Sequence, residues 1–330
     1  MIVSNGLLLI VLFIGLLLGL YLLGVPVAFA LGFTSILLMF SPFVPFQPQL
    51  VAQSVVSGSS SFVLLAIPLF LQTGIFMNEM GLIDDIFDFA GAIVGPIRGG
   101  LAHVNVIASI IFSGMTGTAA ADAAGSGTVE YQAMQNADYD KGYSVAVTGA
   151  SSIVGPIIPP SVPLIIYGVL AQVSIGALFI AGLVPGIMMG IGLMVICSYY
   201  AHINDYERGS WWSIKEFMGS FKRAAPALGT PVLIVGGILV GLFTPTEAGA
   251  AALFYTLFIG TVFYEQLDIE TLISTLYDGM IQTAMITFIV STATLYGFLV
   301  RRARLPEALA NTITNITTNP IALLFLMVLY

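Results

Sequence analysis

GLLLIVLFIGLLLGLYLL, residues Gly6 to Leu23, is an unbroken apolar run of 18 residues. In hydrocarbon every backbone N–H and C=O must be satisfied internally, so a run of this length is read as a spanning α-helix. A membrane β-barrel is excluded, because its strands alternate apolar and polar residues over about ten positions. The run lacks the basic leader and small-residue cleavage site of a secretory signal and further apolar runs follow at once, so a retained helix is expected. The rest of the chain repeats the pattern. Of its 330 residues 58% are hydrophobic and 8% charged, with mean hydropathy +1.01, far outside the range of soluble domains. The expected fold class is an all-α polytopic membrane protein.

Other classes fall away on composition. The net charge of −8 comes from loops, acidic residues barely affect topology, and no basic patch suggests nucleic acid. The lone Cys197 lies in an apolar run and reads as a packing residue. Two distant histidines and one cysteine do not assemble a zinc set. The absence of GxxxxGK[ST] argues against ATP hydrolysis through a phosphate-binding loop. No organic cofactor is expected.

Apolar stretches run at about 6–23, 25–45, 62–77, 101–121, 143–170, 175–200, 225–243, 247–264, 280–300 and 320–330. The last is still in progress at Tyr330, which leads to the expectation that the second half of the protein is incomplete here. The polar interval His202 to Arg223 carries Arg208, Lys215, Lys222 and Arg223, four of the nine basic residues, and positive-inside logic places it in the cytoplasm. Its Trp211, Trp212 and Phe217 suit a helix in the interface, and a plain linker fits equally. It divides the chain into N-terminal scaffold helices (1–49), a first repeat (50–201), the interval itself (202–224) and a second repeat (225–330).

The two repeats are punctuated alike. Ser57-Gly58-Ser59-Ser60-Ser61 precedes an apolar helix, after a segment too short to span, and suits the tip of a re-entrant hairpin; a plain helix cap at the membrane edge is the alternative. Ser113-Gly114-Met115-Thr116-Gly117-Thr118 then interrupts an apolar helix. In the second repeat Thr244-Pro245-Thr246-Glu247 is followed by Ser291-Thr292-Ala293-Thr294 at a similar spacing. Paired interruptions in corresponding places point to a carrier built from structural repeats. At Pro245 the ring removes a donor and drives Thr244 out of the helical region, freeing carbonyls. Thr244 or Thr246 then caps the next helix, with Glu247 in its first turn. Freed carbonyls and hydroxyls are the ligands a dehydrated Na⁺ requires; an interfacial turn has the same spacing. Asp122, in a run of small residues, is a candidate functional carboxylate, with tight helix packing near water as the bland reading. Gly155 to Pro163 holds four prolines, so a helix breaks there, at a binding surface or in a loop.

In order and spacing, SSSFVLLAIPLF, GGLAHVNVIASIIFSGMTGTAAADAAGSG, GPIIPPSVPLIIYG and GLFTPTEAGAAA resemble the large membrane subunit of tripartite ATP-independent periplasmic (TRAP) transporters, within the ion-transporter superfamily. The resemblance implies an inverted-repeat, elevator-type transporter with two re-entrant hairpins and two broken helices. It implies one Na⁺ site from Ser59, Ser60, Gly114 and Thr116, and a second from Thr244, Thr246, Ser291 and Thr294. Between them would lie a substrate pocket, with Thr118, Asp122, Pro160, Ser161 and Glu247 the candidate contacts. Members often carry serine where Thr116 and Thr118 stand, which keeps the hydroxyls. The implied function is Na⁺-coupled secondary uptake of small organic anions, C4-dicarboxylates or related carboxylates and sugar acids, across a bacterial or archaeal inner membrane. The implied partners are a separate small membrane subunit and a periplasmic substrate-binding protein. A stand-alone sodium/carboxylate carrier is the alternative. An intramembrane aspartyl protease has only Tyr139-Asp140 to recommend it, with no GxGD motif.

Overall fold

The computed structural model describes residues 2–40, 47–206, 208–209, 213–307, 310, 319 and 322–323. Among them every named element is helical: α1 (Ile2–Leu22), α2 (Val27–Met39), α3 (Pro48–Ser59), α4 (Ala66–Glu79), α5 (Leu82–Val94), α6 (Gly100–Thr116), α7 (Ala119–Ala124), α8 (Ser126–Asn136), α9 (Lys141–Ser152), α10 (Val162–Ala171), α11 (Ile175–Ile203), α12 (Ile214–Pro231), α13 (Gly237–Leu239), α14 (Pro245–Val262) and α15 (Ile269–Arg302). A 3₁₀ turn, Phe62–Leu65, leads into α4, and a π turn, Val232–Gly236, joins α12 to α13. The protein is therefore an all-α membrane protein. Among the described residues, three helical stretches are long and apolar enough to cross a membrane, Phe62–Glu79, α11 and α15, and α2, α6, α10 and Val11–Leu22 are shorter apolar helices.

Two compact units result, residues 1–61 with 284–330 and residues 62–283. The larger unit takes helices from both sides of the polar interval, so neither unit coincides with a repeat expected from sequence. The interval's Trp211 and Trp212 lie outside the described residues, as does most of the chain beyond 310. Phe217 opens α12 and packs its ring at 5.8 Å from Phe89 of α5.

The smaller unit closes on Phe13, Leu38, Met39, Leu299 and Leu305. Tyr296 Oη donates to the Phe13 carbonyl at 3.1 Å, giving its phenol a partner inside this apolar cluster. Here one expectation is corrected. Ser291 to Thr294 does not interrupt its helix, for α15 runs unbroken from Ile269 to Arg302. Thr292 and Thr294 donate their hydroxyls to the carbonyls of Phe288 and Val290, at 3.0 and 2.8 Å. Hydroxyl side chains back-bond within a helix without ending it, and no proline or glycine stands at this point.

In the larger unit, α4 and α14 lie side by side in the same direction. Gly249 faces Leu69 near the start of both helices and Gly260 faces Met80 near their ends. Ala248, Gly249, Ala252, Thr256, Ile259 and Gly260 form the buried face of α14, and such small residues let two backbones approach closely. The core around them holds Phe76, Met77, Met80, Leu82, Ile83, Ile86, Phe112, Met115 and Ala227. Helix α5 is amphipathic as its sequence requires: Leu82, Ile83, Ile86, Ala90 and Val94 are buried, while Asp84 and Asp88 are exposed. Arg223 of α12 pairs with Asp85 at 3.5 Å and Asp88 at 3.0 Å. On α11, Gly182, Gly186 and Gly190 make a stripe against Ile157, Ile158 and Ile110, and Val184, Ile187, Met188, Ile191 and Val195 are exposed on the remaining surface. Helix α6 is buried nearly all round, so its polar residues need partners from the helices that enclose it.

Candidate functional site

The larger unit holds a broken helix where the sequence predicts one. Helix α6 stops at Thr116, Gly117 turns through a left-handed φ of +65°, and extended Thr118 caps α7 by accepting from the Ala121 N–H at 3.3 Å. Only glycine adopts that φ without strain, and a Cβ on Gly117 would overlap the Pro160 carbonyl oxygen. Gly117 in turn accepts from the Val162 N–H at 3.2 Å. The break is thereby clipped to the second irregular segment, the proline run between α9 and α10. There the Pro159–Pro160 bond is cis, and Ser161 caps α10 by accepting from the Leu164 N–H at 3.2 Å while donating to the Pro156 carbonyl. Pro163 is tolerated because it falls in the first turn. The expected apolar stretch 143–170 is thus two helices. Gly114, Thr118, Pro160 and Ser161, chosen from two separate stretches of sequence, come together here.

Thr116 is 1% exposed and its Oγ1 has no hydrogen-bond partner among the described residues. An unmet buried hydroxyl costs about 1–3 kcal/mol, so this atom suits a ligand. Thr116 also lines a cavity of about 320 Å³ with Gly74, Asn78, Gly125, Asp278 and Gln282. Gly74 makes room for it, for a Cβ there would stand 2.9 Å from the Thr116 Cα.

The Thr244 segment behaves as its chemistry dictates. Gly241 has φ +77° and Thr244 is extended, so the chain leaves the helical path before Pro245. Thr244 Oγ1 accepts from the Glu247 N–H at 3.4 Å, and Glu247 Oε2 accepts from the Thr244 N–H at 2.8 Å, a reciprocal capping box. Thr246 Oγ1 donates to the Phe62 carbonyl at 3.5 Å, joining the start of α14 to the turn before α4. The Glu247 carboxylate, expected at the substrate, is here engaged by the cap.

In the smaller unit, α3 ends at Ser59, and the hydroxyls of Ser59 and Ser60 donate back to the Val56 carbonyl, that of Ser59 at 3.0 Å. Gly58 is pressed on α15: a Cβ there would sit 2.8 Å from Thr294 Oγ1 and 3.0 Å from the Ser291 Cα. The serine cluster and the Ser291–Thr294 cluster are therefore neighbours, a pairing the sequence reading did not anticipate.

The side chain of Asp122, a candidate substrate contact, is wholly buried. Ser126 Oγ donates to Asp122 Oδ1 at 2.6 Å. The surrounding interior is polar: Asn105 Nδ2 donates to Thr148 Oγ1 at 2.8 Å, Ser151 Oγ to Asn105 Oδ1 at 2.7 Å, and Ser109 Oγ reaches Ser151 Oγ at 3.1 Å and Glu130 Oε1 at 3.5 Å. Glu130 is also wholly buried. Sequence reading missed it, although Asp122, Ser126 and Glu130 recur at intervals of four across the junction of α7 and α8. Neither α7 nor α8 is one of the apolar spanning segments. Burial raises both carboxyls above the ordinary range, and the nearby Asp122 charge raises Glu130 further. Among the described residues no group of three or more His, Cys, Asp and Glu is placed to hold a metal ion.

Residues 14–330 match the family described as Tripartite ATP-independent periplasmic transporter, DctM component. The chain is 43% identical over 313 residues to the sialic acid TRAP transporter large permease protein SiaM of Vibrio cholerae, covering 94% of this chain and 72% of that one. It is 38% identical over 320 residues to the 2,3-diketo-L-gulonate TRAP transporter large permease protein YiaN of Escherichia coli, 97% and 75% respectively. Its identity to the C4-dicarboxylate TRAP transporter large permease protein DctM of Pseudomonas aeruginosa is 33% over 278 residues, 84% and 65%.

Proposed function

From the premise that this chain belongs to the DctM component family of tripartite ATP-independent periplasmic transporters, we propose that it is the subunit that carries a small organic anion across a bacterial inner membrane, driven by Na⁺. It is a permease subunit and not an enzyme. The observation that carries the mechanistic reading is the broken helix at Thr116–Thr118, clipped to Pro160–Val162 and leaving a buried hydroxyl without a partner among the described residues.

Na⁺ is cargo in this reading. Thr116 Oγ1, with backbone oxygen around Gly114, supplies ligands for one ion. The extended turn before Pro245 supplies carbonyls beside Thr244 and Thr246 for another; unwound backbone inside a membrane protein is tolerated where it lines such a site. In the smaller unit, where α15 is unbroken, Ser59, Ser60, Ser291 and Thr294 offer hydroxyls through side chains alone. An empty oxygen cage is costly, so ion binding organises the site. Its positive charge then favours an anion, with Thr118, Pro160 and Ser161 nearest the break and Glu247 acting through its cap.

The relatives named above are permeases for sialic acid, 2,3-diketo-L-gulonate and C4-dicarboxylates, which supports a carboxylate or sugar acid as substrate. The family's tripartite organisation supports a small membrane subunit and a periplasmic binding protein as partners. The elevator motion, the re-entrant hairpins and a cytoplasmic place for 202–224 belong to the same proposal. The test is uptake of labelled carboxylates into proteoliposomes holding the chain with both partners, with and without an inward Na⁺ gradient. Uptake that needs Na⁺ and the binding protein supports the reading. Uptake indifferent to Na⁺ removes the coupling, and uptake without the binding protein replaces it with a stand-alone carrier.

A further inference from the structure

Two buried acids with no base between them make an arrangement that Na⁺ coupling does not use. Asp122 and Glu130 are each 0% exposed. Ser126 and Ser109 occupy one oxygen of each, and among the described residues Asp122 Oδ2 and Glu130 Oε2 have no hydrogen-bond partner. Among the described residues no salt bridge reaches either.

The helices packed around the pair are α5, α6 and α9, with α4 approaching the α7–α8 joint through Asn78. Their ionisable groups offer no compensation. On α5, Asp85 and Asp88 are held by Arg223, and Asp84 is exposed. On α6, His103 is engaged by the Gly99 carbonyl and Ser198 Oγ. On α9, Lys141 is exposed and Tyr143 is a neutral phenol, while on α4 Glu79 is exposed and acidic; Tyr131 on α8 is again only a phenol. Two adjacent carboxylates in such an interior cannot both stay ionised, and one small cation must neutralise the second.

The two acids are not equivalent. Asp122 accepts a short charge-assisted bond from Ser126 and stands just before the N-terminal end of α8, where the helix dipole favours an anion. Glu130 lies a turn and more inside α8, and its contact to Ser109 Oγ is long at 3.5 Å. We propose that the Asp122–Glu130 pair is a proton-binding site, in which Glu130 takes up one proton to become a neutral carboxylic acid beside an ionised Asp122. The site bears on the helix break, because the Asp122 N–H bonds the Thr118 carbonyl at 3.2 Å.

Infrared spectroscopy of the full chain in lipid nanodiscs tests this without any transport assay, so it fails or succeeds independently of the Na⁺ reading. At neutral pH, in sodium-free choline medium and equally in sodium medium, the wild type should show the carbonyl stretch of a protonated carboxyl, shifted by D₂O, and Glu130→Gln should lose it. Asp122→Asn should keep the band but lose it at lower pH on alkaline titration, reflecting a tenfold or greater drop in proton affinity once the neighbouring charge is gone. If Glu130→Gln does not fold, the Asp122→Asn shift decides the matter. A wild-type band that appears only when Na⁺ is withdrawn makes the pair a sodium site and overturns the proposal. So does no band in either medium, or a band that survives in Glu130→Gln.

Discussion

Replacing Gly117 by alanine should break the joint between α6 and α7 more severely than its single added methyl suggests. Two penalties act at one residue. The first is conformational: φ is +65°, where an L side chain costs about 1–2 kcal/mol. The second is steric. The new Cβ would overlap the Pro160 carbonyl oxygen, with the Pro160 carbonyl carbon and the Val162 nitrogen each 3.2 Å away. These are backbone atoms and cannot rotate aside, so overpacking adds about 1–3 kcal/mol. Together the loss is about 2–5 kcal/mol, partly relieved if the Val162 N–H releases the Gly117 carbonyl. Gly149→Ala is the control, since nothing lies within 4 Å of its Cβ position inside α9; there alanine should change stability by less than about 1 kcal/mol, in the favourable direction. Denaturant unfolding in detergent reads both variants, and half-saturation for Na⁺ in reconstituted uptake reads the site. If Gly117→Ala unfolds within about 0.5 kcal/mol of wild type, the joint is not held as the geometry implies, and its role in placing Thr116 fails with it.

Thr244→Ala removes the capping box and should cost about 1 kcal/mol, with a raised half-saturation for Na⁺ if the turn binds the ion; an unchanged sodium curve would leave it a cap alone. Gly58→Ala should be destabilising by about 1–3 kcal/mol, and Thr294→Ala, which clears the nearest atom, should restore part of it in a double-mutant cycle with coupling above about 0.5 kcal/mol. Arg223→Ala should cost under about 1 kcal/mol, because the Arg223 and Asp88 side chains are more than half exposed; a larger loss in unfolding measurements would show that the α5–α12 contact depends on that charge. For Glu130 the folded protein binds a proton that the unfolded chain releases within the ordinary carboxylate range, so stability is greatest below that range and is lost as pH rises towards the raised folded value. Unfolding curves from about pH 5 to about pH 8 should therefore fall for wild type and flatten for Glu130→Gln, and parallel slopes would refute the linkage.

Much of this molecule is written locally. The apolar run Gly6–Leu23 and its successors specify helices because nothing else satisfies backbone groups in hydrocarbon. Gly117, Pro245 and the prolines from Pro156 to Pro163 specify breaks because each alters what its own backbone can do, and all three breaks stand where the residues place them. Ser291 to Thr294 misled for a reason equally physical. Hydroxyls can leave a helix or bond back into it, and without a glycine or proline to force the choice α15 continues. A cap at Thr244 or Thr246 was legible from Pro245 and Glu247, whereas the choice of Thr244 and the engagement of the Glu247 carboxylate there were not.

What the residues alone determined, then, is helix, membrane and the sites of interruption, since those depend on dihedral preference and hydrogen-bond supply within a few positions. Tertiary structure decided which interruptions meet. The break after α6 joins the proline run, Thr246 joins Phe62, and Gly58 joins Ser291 and Thr294, each across a long separation in sequence. It also decided that Asp122 and Glu130 share a buried interior. The cost of a charge is set by the solvent it loses, and only the packing of α6, α8 and α9 takes that solvent away.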